Sequence, residues 1–288
     1  MPEGPDVASY RDFLLTYLHN NMVIGLKILK GRYTKKPIPG LSDFIKNVPT
    51  TVTNINTKGK FMYITFDNGF YLMLTFGLTG GWDIQKNGSE RIELLTNKEP
   101  LYYIDQRNFG TFNFTKSLDT VNEKLNDIGD DIMDKNTTLD IFKTNIKNKK
   151  NLKKQIAIVL LDQKYISGIG NYLRADGLYL AGISPFRKTD DVTDNELSLL
   201  YDNLRYLAYL HYDIKEGLKQ GIIKHSSSDK NKPDSKKYLL VKYTKKGLYH
   251  SEKKPYLIYR QDRDLFGEEI VANEIDKRTI YWVPSRQS

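Results

Sequence analysis

The chain opens on a helical period. Val7, Tyr10, Leu14, Tyr17 and Leu18 return to one face at 3.6-residue spacing, with Asp6 near the start, so residues 5–20 are predicted as a helix. Over residues 22–114 the pattern changes to short β-type runs. The clearest pair is KFMYITFD and FYLMLTF, separated by Asn68-Gly69. An Asn-Gly pair between two such runs is a strong hairpin signal. VIGLKIL, RIELL, LYYID and GTFNF supply further strands, and glycines at residues 77–81 and at Phe109-Gly110 mark tight turns. This pattern predicts an all-β unit, sandwich or barrel, with one helix laid against it.

Helical signals dominate the rest. Residues 117–150 read as a polar connection with one helix at 139–145. Six lysines (Lys143, Lys147, Lys149, Lys150, Lys153 and Lys154) crowd its end. A helix is predicted at 152–161, then a turn over DQKYISGIG and a second helix at Asn171–Ala181. A long helix over Asp194–Lys219 carries Leu197, Leu200, Leu204, Leu207 and Leu210. Residues 225–237 (HSSSDKNKPDSKK) hold no core formers and are expected to be a mobile loop. In residues 256–284, two β-type runs around Phe266-Gly267 predict a small hairpin. No internal repeat is present.

Composition narrows the class. A chain of 288 residues implies two domains or three. With 39% hydrophobic residues, 20 tyrosines and 12 phenylalanines, it can build real cores. The net charge is +9, unevenly spread: residues 1–130 carry 15 Lys/Arg against 14 Asp/Glu, residues 131–288 carry 29 against 21. That excess suits a polyanion-binding surface in the second half, and equally a solvated lysine-rich surface from an AT-biased genome. No cysteine is present, which excludes disulfides, cysteine nucleophiles and cysteine-held zinc or iron–sulfur centres. The four histidines (His19, His211, His225 and His250) are scattered, so no metal site is expected. No run of about 18 apolar residues exists, and MPEGPD does not open a signal peptide. An intracellular protein is expected, its compartment unreadable.

The first residues carry candidate chemistry. Methionine before proline is ordinarily removed, leaving Pro2 with a secondary amine. An α-amine titrates at about 7.7–8.0, far below lysine, so part of it is free to attack carbon and form an iminium. Glu3 beside it is a candidate proton donor or acceptor, and Asp6 adds a carboxylate one turn on. Read on these residues alone, an inert frayed terminus fits better.

MPEGPD resembles the start of the formamidopyrimidine-DNA glycosylase and endonuclease VIII (Fpg/Nei) family. GIGNYLRADGLYLAGISP, residues 168–185, is similar to that family's helix-two-turns-helix signature, and GNYLR is closer to the endonuclease VIII branch. TKGKFMYI with Lys60, FGLTG followed by DQRNFG, and DKRTIYW with Arg278 complete the resemblance in the family's order. One departure is clear. Where the family usually has four zinc-binding cysteines, the corresponding residues are Arg263, Phe266, Val283 and Arg286. This resembles the zincless finger of the Nei-like 1 branch. The composition suggests a giant DNA virus as source.

The resemblance implies roles for individual residues. Pro2 would be the Schiff-base nucleophile at C1′ of the damaged sugar, with Glu3 assisting ring opening and proton transfer. Lys60 would place positive charge near the sugar and phosphate, and would disfavour the protonated form of Pro2. Asn171, at a helix start where backbone N–H groups favour an anion, and Arg278 would bind phosphate. A plain helix cap and a surface arginine are the alternatives read from the residues alone. Leu78, Arg107 and Phe109 would fill the space left by an extruded nucleotide. Asp176 stands where the family usually has glutamate, which puts a contact with the N-terminal amine in doubt. Asp6, Asp176 and Arg260 are supporting candidates.

The expected fold is α+β. A β-sandwich with a leading helix spans 1–130, a helix-two-turns-helix domain 131–255, and a zincless β-hairpin finger 256–288. The expected function is a bifunctional DNA glycosylase with abasic-site (AP) lyase activity in base excision repair. It would remove oxidised pyrimidines such as thymine glycol, and hydantoins, without cofactor or metal. Damaged duplex or single-stranded DNA is the expected partner, with no membrane and a monomeric protein. A non-catalytic DNA-binding protein and an 8-oxoguanine-preferring glycosylase are the alternatives.

Overall fold

The computed structural model describes residues 1–219 and 256–288, and of residues 213–219 only the helical backbone. The segment 225–237, with His225, and also His250, lies outside the described residues. Contacts divide the chain into two units, Met1–Asp127 and Ile128–Ser288. Each has its own apolar cluster.

The first unit begins with helix α1 (Gly4–Leu18). Its start is fixed by Pro5 in the first turn and by a capping box between Glu3 and Asp6. Val7, Leu14 and Leu18 are buried, as the 3.6 period requires. Eight strands follow: β1 (Met22–Ile28), β2 (Thr50–Lys58), β3 (Phe61–Phe66), β4 (Tyr71–Thr75), β5 (Gly80–Asp83), β6 (Glu90–Thr96), β7 (Leu101–Asp105) and β8 (Thr111–Thr115). They form one antiparallel sheet in the order β5-β7-β6-β1-β2-β3-β4-β8. The β1–β2 link in its middle spans only Met22↔Thr51 and Val23↔Thr50. The two halves fold over at this link. Tyr103 of β7 meets Phe112 of β8 edge to face at 4.7 Å, although these strands lie near opposite ends of the sheet order. The halves thus share one core, as in a sandwich. β3 and β4 join through the predicted Asn68-Gly69 turn, with Gly69 at φ 80. A short helix, α2 (Leu41–Ile45), inserts Phe44 among Phe66, Phe70 and Phe114. Helix α3 (Leu118–Asn126), capped by Ser117, closes the unit.

The second unit is mainly helical: α4 (Leu139–Ile146), α5 (Ile156–Val159), α6 (Asn171–Ala181) and α7 (Asp194–Lys219). Two parallel two-residue strands, β9 (Asp130–Asp131) and β10 (Ile166–Ser167), hold the chain before α6. Helix α6 is central, since every residue after Asn171 in it is buried. Gly177 lets α7 approach: a Cβ there would meet Leu204 Cδ2 at 2.6 Å. Leu197, Leu200, Leu204 and Leu207 are fully buried along the same face of α7.

Two expectations are corrected. The helix predicted over 152–161 is only the single turn α5. Its first half pairs elsewhere: the Leu152 carbonyl accepts from Asp190 N–H, the Lys154 carbonyl accepts from Thr189, and Gln155 bridges Lys188. The last hairpin does not turn at Phe266-Gly267. Its strands are β11 (Val271–Ile275) and β12 (Arg278–Trp282), joined by Asp276-Lys277 at φ 47 and 59. That turn demands two left-handed residues, which Asp-Lys signals weakly in sequence. Phe266-Gly267 instead tips a tight loop closed by the lone bridge Arg263↔Glu269.

Candidate functional site

The N-terminal candidates sit where α1 begins. Pro2 is half-buried and directly precedes the helix. Glu3, 1% exposed, is its N-cap: its carboxylate accepts from the Asp6 N–H, and its own N–H donates to Asp6 Oδ2 at 2.7 Å. Asp6 is therefore engaged in fixing Glu3 beside Pro2. Helix α1 packs on β2 and β3. The turn joining these strands carries Lys60, which is half-buried.

The three void-filling candidates are brought together. Leu78 lies in the β4–β5 turn, Arg107 and Phe109 in the β7–β8 loop. The two loops touch backbone to backbone: Gly77, at φ 58, has no room for a Cβ, which would sit 2.7 Å from the Phe109 carbonyl carbon. Asp105, 1% exposed at the end of β7, ties them. Its Oδ1 accepts from Thr79 Oγ1 (2.5 Å) and its Oδ2 from Gly110 N–H (2.7 Å). Thr79 Oγ1 accepts in turn from Arg107 N–H (2.9 Å). Carbonyls in the same loop are held by arginines: Arg91 donates to Asp105 O and Gln106 O, Arg32 to Gly110 O. Beneath, Phe76 is buried and stacks on Tyr10 of α1 at 5.2 Å. Burial, and secondarily the Asp105 carboxylate, hold the Tyr103 phenol well above its ordinary range, so it stays a neutral donor. Arg107 is exposed, Phe109 is 54% exposed, and Leu78 is half-buried. Phe109 is thus an open ring on a loop whose backbone these bonds fix.

In the second unit, Asn171 opens α6 after Gly170, with its side chain half-buried. The loop before it is held by Gln163, whose amide donates to Leu161 O and Ile169 O and accepts from Gly168 N–H. Arg174, one turn on, is wholly buried. It donates to Ala157 O (3.2 Å), Thr279 O (3.0 Å) and Asn171 Oδ1 (3.4 Å). With Oδ1 accepting, the Asn171 amide nitrogen is left to donate outward. Thr279 is the neighbour of Arg278, which is exposed at the start of β12. One guanidinium thus links the two candidate phosphate ligands. The dipole of the eleven-residue α6 adds positive potential at Asn171.

Asp176 proves to be a tether. Its oxygens accept from the N–H groups of Leu257, Ile258 and Tyr259 at 3.0–3.1 Å. Complete burial raises its pKa to about 6, against the lowering effect of those three bonds. Arg260 follows, exposed, at φ 57, with its guanidinium over the Tyr259 ring. The four residues that the resemblance sets against the family's cysteines are engaged in other contacts. Arg286 lies over the Phe266 ring at 4.1 Å and pairs with the buried Asp264 at 2.8 Å. Asp264 also accepts from Tyr179 Oη and from Phe266 and Glu268 N–H. Val283 is fully buried, and Arg263 donates to Gly267 O. This donor set does not fit zinc. Among the described residues no cluster of His, Cys, Asp or Glu suits a metal ion. No helix among them is long and apolar enough to cross a membrane.

The chain is similar to known proteins. Residues 1–112 match the family model of the formamidopyrimidine-DNA glycosylase N-terminal domain, and residues 128–230 that of the formamidopyrimidine-DNA glycosylase H2TH domain. The chain belongs to the Fpg/Nei family. Formamidopyrimidine-DNA glycosylase of Rickettsia felis is 26% identical over 71% of this chain and 75% of its own. Endonuclease 8 of Escherichia coli is 23% identical over the full length of both. The fold is shared with Fpg (MutM) of Lactococcus lactis bound to DNA containing an abasic site (TM-score 0.77, 19% identity, 99% of each chain). It is shared also with MutM of Thermus thermophilus (TM-score 0.74, 20% identity, 99% of this chain and 98% of that one). The Fpg/Nei relatives are DNA glycosylases with abasic-site lyase activity, and this chain is an enzyme of that kind, a DNA glycosylase of base excision repair.

Asp105, Thr79, Arg174 and Asp264 were not singled out from sequence. A signal existed for two of them: Asp105 closes an otherwise apolar strand, and Arg174 is the lone cation in a helix of buried residues.

Proposed function

We propose that this glycosylase removes oxidised bases by covalent catalysis at Pro2 and then cuts the strand by β,δ-elimination. After loss of Met1, the Pro2 nitrogen attacks C1′ and the base leaves with the glycosidic electron pair. Glu3 supplies the proton as the sugar ring opens and an iminium forms at C1′. The iminium acidifies C2′. Removal of that proton expels the 3′ phosphate, and a second elimination expels the 5′ phosphate. Lys60 offsets developing negative charge at the sugar and phosphate. Asn171 and Arg278 hold backbone phosphates, and Leu78, Arg107 and Phe109 occupy the vacated stack. Damaged DNA is the partner, with thymine glycol and hydantoins the preferred lesions. The protein acts as a monomer without cofactor.

The observation that carries this reading is the start of α1, where a capping box holds a buried glutamate next to Pro2 in a chain of this family. Borohydride trapping on a thymine glycol duplex tests it. A covalent adduct mapping to Pro2 is expected, and none from protein whose N-terminal amine is blocked by retained Met1 or by acetylation. Cleavage by the blocked protein at the wild-type rate overturns the mechanism. A parallel 8-oxoguanine duplex tests base choice, since several relatives bear the formamidopyrimidine-DNA glycosylase name.

A further inference from the structure

We infer that Asp105 is the positioning residue for void filling: its carboxylate, acting through Thr79 and Gly110, sets the loops that carry Leu78, Arg107 and Phe109. The inference rests on the proposed role of those three side chains. Asp105 itself touches no substrate, because it is 1% exposed.

The chemistry of the carboxylate is what makes the assignment specific. It is acceptor-only, so Thr79 must donate its single hydroxyl proton to Oδ1. The Thr79 oxygen is then left to accept from Arg107 N–H. The chain of bonds therefore has one direction, from Arg107 N–H through the Thr79 hydroxyl to Asp105, while Oδ2 separately fixes Gly110 N–H. One buried charge thus sets the backbone at Thr79, Arg107 and Gly110, and Leu78 and Phe109 are neighbours of these residues in sequence. Arg91 and Arg32 fix carbonyls of the same loop, at Asp105, Gln106 and Gly110. Such pinning matters because a wedge must keep a base step unstacked against the pull of stacking. On a loop free to relax, the loop would yield rather than the DNA.

The test compares two substrates: a duplex with a central lesion, and a single strand with a preformed abasic site, which has no stack to fill. Asp105→Ala should slow duplex excision roughly ten-fold or more, the size expected for losing hydrogen bonds to a charged group. Cleavage of the single strand should stay within about two-fold. Thr79→Ser keeps the hydroxyl and should retain wild-type excision, whereas Thr79→Val should show part of the loss. With 2-aminopurine opposite the lesion, Asp105→Ala should reduce the fluorescence change on binding. Leu78→Ala combined with Asp105→Ala should be less than additive. Should Asp105→Ala fail to fold, Asp105→Asn and Thr79→Val carry the same comparison. Equal loss on both substrates, or none on the duplex while Phe109→Ala is slow, overturns the inference. If Phe109→Ala and Leu78→Ala excise normally as well, the void-filling reading itself has failed.

Discussion

Both units of this glycosylase organise their candidate contact residues around a buried charge, but of opposite sign. In the first, Asp105 gathers donors: a threonine hydroxyl and the Gly110 amide. In the second, Arg174 gathers acceptors: two backbone carbonyls and the Asn171 side chain. The sign follows from what each must present. Asp105 absorbs the amides of loops whose outward side chains include a 54% exposed phenylalanine. Arg174 absorbs oxygens, which leaves Asn171 and Arg278 offering donors alone. On the roles proposed above, a wedge and a pair of phosphate donors would call for opposite hubs behind them.

The largest effect should come from breaking the second hub. Arg174→Ala strands two carbonyls and opens a large cavity in the unit's core. Unpaired buried acceptors together with a large cavity cost about 3–5 kcal/mol. Urea denaturation should show that loss, and Asp105→Ala should cost less, about 1–3 kcal/mol. Arg174→Met restores much of the volume and separates packing from hydrogen bonding. If it recovers stability without recovering DNA affinity, the link to Asn171 and Arg278 is the functional part. If affinity returns as well, Arg174 is packing only.

The second unit also holds two buried groups that respond to acid in opposite ways. His211 of α7 is fully buried against Tyr172 and Tyr256, and burial lowers its pKa to about 3. Unfolding lets it bind a proton near pH 6.5, so its contribution to stability is full above that pH and shrinks as pH falls toward 3. Asp176 has the opposite sign. Its pKa is raised to about 6, so its contribution is full below pH 4 and is lost as pH rises through 6. Between pH 4 and 6 the two oppose each other. His211→Phe keeps the stacking and removes one side. From pH 7.5 to pH 5 its stability relative to wild type should rise by about 2 kcal/mol. A difference that does not change with pH would mean His211 finds its proton in the folded state.

Much of this was legible in the chain. Alternation and the Asn-Gly turn gave the strands of the first unit, because turn chemistry and period agree there. The motif residues identified the family before any geometry was known. What escaped were interactions between segments distant in sequence. The failed helix at 152–161 has good local propensity, but its carbonyls pair with residues 188–190, more than thirty positions away. The finger hairpin was misplaced because Phe266-Gly267 carries the stronger turn signal, while Asp276-Lys277 makes the strand-joining turn. Asp176, a supporting candidate whose contact with the N-terminal amine was in doubt from sequence, binds amides about eighty residues downstream. Buried charges are hard to read in this way because their partners are backbone groups, which every sequence contains.

The smallest effect separates the two kinds of contact most cleanly. Arg278 is exposed at the start of β12, and its side chain makes no hydrogen bond or ion pair among the described residues. If it holds a phosphate, binding releases counterions there, and Arg278→Ala should reduce the slope of log affinity against log salt by about one. The affinity lost near physiological salt should be modest, on the order of 1 kcal/mol. Phe109→Ala should behave differently. It removes apolar contact and stacking, so affinity falls while the slope stays as in wild type. Titrating both variants on one lesion duplex across a salt series distinguishes them, since only a charge contact alters the slope. A slope changed by Phe109→Ala would mean that losing the wedge also moves phosphates off the protein, and the two regions would then act as one surface rather than two.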